Sequence, residues 1–118
     1  MEAQKAFILL ERHTVDREKG GYLEAFSRDW GMLEDVRLSH KDLNVPKTMN
    51  THLHVVEAYT TLYQVDDSRP VGDALRYGIE CFDAHIINKD NFHLRMFMDH
   101  DWRDHSPGYT YGHDIECS

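Results

Sequence analysis

No apolar run in this 118-residue chain approaches membrane-spanning length, and its N-terminus lacks the basic and apolar regions of a secretory signal. No basic cluster stands out either. Asp and Glu outnumber Lys and Arg by 21 to 13, which leaves a formal net charge of -8 at pH 7. Such a surface repels phosphate, which argues against nucleic acid or an anionic membrane as a partner. Cysteine is scarce. Cys81 and Cys117 are too few and too ordinary in spacing for a disulfide framework, so the expectation is two reduced thiols in a cytoplasmic protein. The length suits one small domain and not two. Histidine is what the chain has in excess. Nine are present, several grouped as His52 and His54, then His93, His100, His105 and His113. That enrichment points to proton transfer or to metal binding.

Periodicity predicts a mainly α chain. Ala3, Ala6, Phe7 and Leu10 recur at helical spacing over residues 2–14, and Gly20-Gly21 stop this region. Residues 22–27 alternate like a short strand that ends at Asp29-Trp30. A long polar loop is expected over residues 31–46, and long loops in compact domains are often functional. A second helix is expected from Lys47 to about Gln64. On it Met49, Leu53, Val56 and Tyr63 share a core face, and Asn50, His54, Glu57 and Thr61 a polar stripe. Pro70 suits the first turn of a third helix carrying Val71, Leu75, Ile79, Phe82 and Ile86, which ends by Asn88–Asn91. Residues 92–99 alternate like another strand, and a last helix begins near Gly112. A faint repeat runs through this order: Leu23, Phe26, Asp29 and Trp30, then Leu94, Phe97, Asp101 and Trp102. It fits a toroid of helical hairpins whose strands and loops gather at one end.

Two pairs carry chemistry. Asn50 and His54 are four apart and project from one helical face, while His52 between them points nearly the opposite way. That geometry argues against a His-x-His metal site, which needs a strand. The plain alternative for a histidine on a helix is a satisfied structural or surface residue. His113 and Glu116, three apart, share a face if their helix begins near Gly112. They read either as an exposed pair of little consequence or as a base oriented by a carboxylate.

The run from Lys47 through Tyr59, KTMNTHLHVVEAY, resembles a signature of the N-acylglucosamine 2-epimerase/cellobiose 2-epimerase family, the cellobiose branch above all. GGYLEAF at residues 20–26 and GHDIE at residues 112–116 are similar to two further family segments, in the same order. The resemblance covers essentially the whole chain. It implies an all-α (mainly α) fold, part of an (α/α)6 barrel with short strands and loops at the sugar-binding end. It implies an isomerase that opens the sugar ring, removes the C2 proton with a histidine and returns a proton to the other face of an enediolate, with no metal and no cofactor. His113 matches one of two catalytic histidines and Glu116 its supporting carboxylate. Asn50 and His54 match residues that hold the sugar and polarise its oxygens near C1 and C2. Asp42 matches a sugar-contacting aspartate, and Trp102 an aromatic platform.

The family chain is much longer. No segment here matches the upstream arginine or the downstream second histidine, so residues 1–118 are expected to form a single partial domain from the middle of the toroid. Apolar helix faces at the edges of such a partial ring favour self-association, and little or no activity is expected of the chain alone. The expected partner is a mono- or disaccharide. Within the family the alternatives are an N-acylglucosamine 2-epimerase or an aldose–ketose isomerase. Outside it they are a non-catalytic carbohydrate-binding fragment and a metal site built on His52, His54 and His113.

Overall fold

The computed structural model describes residues 2–35, 44–108 and 110–118. Among these the elements are α1 (Glu2–His13), β1 (Lys47–Thr48), α2 (Met49–Val65), α3 (Arg69–Cys81), a π-helical turn (Phe82–Ile86), β2 (Phe97–Met98) and α4 (Tyr111–Cys117). Helix dominates as expected, and no described helix is long and apolar enough to cross a membrane. The two expected strands shrink. Over residues 22–27 they reduce to single bridges, Val15 to Tyr22 and Phe26 to Met32. Over residues 92–99 they reduce to the Ile87–Leu94 bridge and β2. Each arm belongs to a tight turn and its partner arm is only a few residues long, so no ladder propagates.

β1 pairs antiparallel with β2, Lys47 opposite Met98 and Thr48 opposite Phe97. This pairing fixes the entry to α2. Thr48, extended at φ -128, then caps the helix by accepting the Thr51 N–H on its hydroxyl. The buried residues of α2 are Met49, His52, Leu53, Tyr59 and Leu62. Tyr63, expected in the core, is 41% exposed, and Tyr59 takes that place by packing edge-on to Phe7 of α1 and to Tyr22.

On α3 the buried stripe is Val71, Ala74, Gly78 and Cys81, whereas Ile79 is exposed. The small residues let α3 lie close to α2: a Cβ on Gly78 would stand 3.2 Å from Val56. The π-turn, closed by the Ile87 N–H on the Phe82 carbonyl, then shifts the phase and brings Phe82 and Ile86 inward. They join Met49, Leu53, Leu94 and Met98 in the main core. Burial of these side chains contributes roughly 1.5–3 kcal/mol each.

The faint repeat is a backbone repeat. Leu23 N–H bonds Thr14 O, and Arg95 N–H bonds Ile86 O. Asp16 N–H bonds Gly21 O as Asn88 N–H bonds His93 O, and Gly20 N–H bonds Asp16 O as Phe92 N–H bonds Asn88 O. At the tip, Trp30 N–H bonds Ser27 O and Ser27 N–H bonds Gly31 O, as Trp102 does with Asp99 and Asp99 with Arg103. Every pair stands at the interval from Trp30 to Trp102, 102 minus 30 or 72 residues, and both tryptophans have positive φ, 66° and 67°. In that register Leu23 matches Arg95 and Phe26 matches Met98, so the leucine and phenylalanine pairs read from sequence lie one residue out.

Candidate functional site

The first turns of α2 and α4 meet across a cavity of about 220 Å³ lined by Glu24, Thr48, Met49, Asn50, Met96, Phe97 and His113. Asn50 is half-buried on its wall. Glu24 comes from the first copy of the repeated turn module, residues 13–32, and is tied to the start of α2 by accepting the hydroxyls of Thr48 at 2.9 Å and Thr51 at 3.0 Å. A carboxylate there also faces the positive end of the α2 dipole. Sequence reading did not single out Glu24, because only the fold carries it to α2.

His113 is the third residue of α4 and half-buried, with Nδ1 2.6 Å from the Thr110 hydroxyl. Glu116, one turn on, makes no hydrogen bond to this imidazole among the described residues; its carboxylate lies within 4.8 Å of ligand-type atoms of His54 and Glu57 on α2. Another carboxylate fixes the position of α4. Asp114 meets His93 Nδ1 at 2.7 Å with Oδ2 and accepts the Leu94 N–H at 3.1 Å with Oδ1. Desolvation pushes the Asp114 carboxyl up, but those two partners outweigh it and hold it below the ordinary aspartate value. Asp114 too was invisible in the sequence, since its partners lie some twenty residues back.

His54 stands on the exposed stripe of α2, one turn beyond Asn50, with Nδ1 2.7 Å from Glu57 Oε2. The hydrogen bond from His54 draws the Glu57 carboxyl down, while the neighbouring Glu57 carboxyl pushes Glu116 up. Ligand-type atoms of His54, Glu57 and Glu116 all lie within 4.8 Å of one another. His52 faces the core instead. Its Nδ1 is 2.7 Å from Thr48 O, and its Nε2 accepts the Tyr22 N–H at 2.9 Å. Burial lowers its pKa to about 4, so the ring is neutral near pH 7. A metal site of His52, His54 and His113 is therefore not assembled, because His52 spends both nitrogens inside the protein.

Trp102 is not brought to the cavity. Its ring stacks on His85 at 4.3 Å and lies under the Lys47 ammonium at 4.7 Å. Its Nε1–H donates to Lys19 O, and its edge rests on Gly21, where a Cβ would come within 2.4 Å. In this chain the ring packs one turn module onto the other. Asp42 lies outside the described residues.

No family model matches the chain. Individual proteins do. The cellobiose 2-epimerase of Bacteroides fragilis is 46% identical over 118 residues, all of this chain and 30% of that protein. That of Ruminococcus albus is 35% identical over 116 residues, 98% of this chain and 29% of the relative. Among solved structures, the cellobiose 2-epimerase of Spirochaeta thermophila superposes with a TM-score of 0.85 at 40% identity, over 97% of this chain and 28% of its own. The enzyme of Bacillus thermoamylovorans gives 0.88 at 32% identity, over 97% and 29%. Those structures are (α/α)6 barrels, and the helices described above form part of one. The chain spans about 30% of the length of the curated relatives it matches. With agreement in sequence and in fold along the whole chain, it belongs to the cellobiose 2-epimerases, a family of isomerases.

Proposed function

We propose that this chain supplies one wall of the active site of a cytoplasmic sugar 2-epimerase that inverts C2 of a reducing-end glucose or mannose unit. The observation that carries the reading is the cavity that joins Asn50 on α2 to His113 on α4. A proton beside a carbonyl is a weak acid, so its removal needs a positioned base and donors for the developing oxyanion. His113 is the base, its ring oriented through Nδ1 by Thr110. The Asn50 amide is the donor, and His54 flanks it on the same stripe. The proton taken from C2 returns to the other face of the enediolate through a second group that this segment does not supply. The chain alone is a single partial domain that binds sugar without turning it over, and its exposed Ile8, Val65, Ile79 and Ile115 favour self-association.

The test is NMR of the chain with cellobiose in heavy water. Shifts at the Asn50 side-chain amide and the His113 imidazole are expected, with no deuterium at C2. Deuterium at C2 would show that this wall suffices for proton removal. Sugar-dependent shifts confined to other residues, or none at any cellobiose concentration, would overturn the assignment.

A further inference from the structure

On the exposed face of α2, His54 is hydrogen-bonded to Glu57, one turn on. An ionised carboxylate accepts and cannot donate. The hydrogen in the 2.7 Å contact between His54 Nδ1 and Glu57 Oε2 therefore sits on the imidazole. Neutral His54 is then the Nδ1–H tautomer, and its Nε2 carries a bare lone pair.

We propose that Glu57 is a positioning residue which fixes His54 with Nε2 as an acceptor. Resting on the sugar-epimerase reading of His54, this makes its partner a hydroxyl of the reducing-end sugar that donates to Nε2. Polarisation of oxygen by neutral His54 through an Nε2–H is thereby excluded.

The experiment is long-range ¹H–¹⁵N NMR of the histidine rings in the chain as it stands. His54 is expected to show a pyrrole-type Nδ1 and a pyridine-type Nε2 when neutral. In Glu57→Leu, which removes the acceptor, the pattern should move toward the Nε2–H form. The His93–Asp114 pair in the same spectrum is the control for folding, since its ring pattern should not change in the variant. An Nε2–H His54 in the parent, or no change in Glu57→Leu, overturns the proposal. These readings involve no sugar. If they hold while cellobiose moves nothing at Asn50 or His113, the positioning role of Glu57 survives and the epimerase reading fails.

Discussion

In the turn module of residues 13–32 the tryptophan stacks on His13 with ring centroids 4.4 Å apart and is 39% exposed. In the module of residues 85–104 the tryptophan stacks on His85 at 4.3 Å, but its ring is half-buried and its indole N–H is spent on Lys19 of the first module. Backbone, histidine–tryptophan stack and positive φ are common to both. What differs is what lies beneath. Trp102 rests on the Gly20-Gly21 turn of the module before it, and among the described residues Trp30 has no such floor. The same local sequence logic builds the turn twice, but burial comes from the neighbouring module. That is how a repeat protein divides its stability between units and interfaces.

The largest effects follow from breaking that seat. Trp102→Ala should cost roughly 3–5 kcal/mol in a urea melt, whereas Trp30→Ala, lacking the seat, should cost about 1 kcal/mol. Equal losses would mean that the stack on histidine, and not the seat, carries the energy. The next comparison concerns the first residue of each turn. Asp16 accepts the N–H groups of Glu18 and Lys19, and Asn88 accepts that of Asp90 in the same way. Only Asp16 also neutralises Lys47, whose buried ammonium lies 2.9 Å away. Asp16→Asn would make the first turn chemically like the second and leave Lys47 uncompensated, at a cost of roughly 3–5 kcal/mol. Asn88→Asp, with no buried cation to meet, should stay within about 0.5 kcal/mol.

Legibility from sequence divides along the same line. Helical period and Pro70 located α1, α2 and α3 to within a few residues, because each feature is local. The Asp-Trp pairs of the repeat were legible too. Its leucines were aligned by side-chain type, while the hydrogen bonds that set the register run through residues as unlike as Leu23 and Arg95. In the site, the four-residue spacing of Asn50 and His54 put both on one face of α2. The three-residue spacing of His113 and Glu116 was also read correctly as helical, yet it says nothing of where a flexible carboxylate turns, and this one lies beside His54 and Glu57 of another helix. Glu24 and Asp114 gave no signal, since each becomes significant only through residues brought to it by the fold.

Acid separates the two modules through one equivalent backbone group. The Tyr22 N–H is accepted by neutral His52, and its counterpart, the Leu94 N–H, by the Asp114 carboxylate. His52 has a folded pKa of about 4 against an ordinary 6.5, so the unfolded chain takes up this proton first on acidification. Its contribution is complete above pH 6.5, declines as the pH falls toward 4, and is on the order of 3 kcal/mol. The folded Asp114 value is depressed instead, so its contribution is present above the ordinary aspartate value and is lost only as the pH falls below it. Amide exchange followed down the pH scale should therefore release Tyr22 before Leu94. Simultaneous release would show that the modules open as one unit.

The smallest effect tests the turn itself. Gly20 at φ 86 and Phe92 at φ 62 hold equivalent positions, and Phe92 is 75% exposed. A left-handed backbone costs a side-chain-bearing residue roughly 1–2 kcal/mol relative to glycine, and an exposed ring recovers little of that through contacts. Phe92→Gly should thus raise stability by about 1 kcal/mol, less whatever glycine's greater freedom in the unfolded chain takes back. Gly20→Ala should lower it by a similar amount, since its Cβ would meet nothing nearer than the Tyr77 hydroxyl at 3.5 Å and only the φ penalty remains. Opposite signs of similar size in paired melts would establish that the two turns are one device and that their inequality lies in the interface. A loss on Phe92→Gly would mean instead that this ring makes contacts worth more than the strain of its backbone, and the second module would then have a floor of its own.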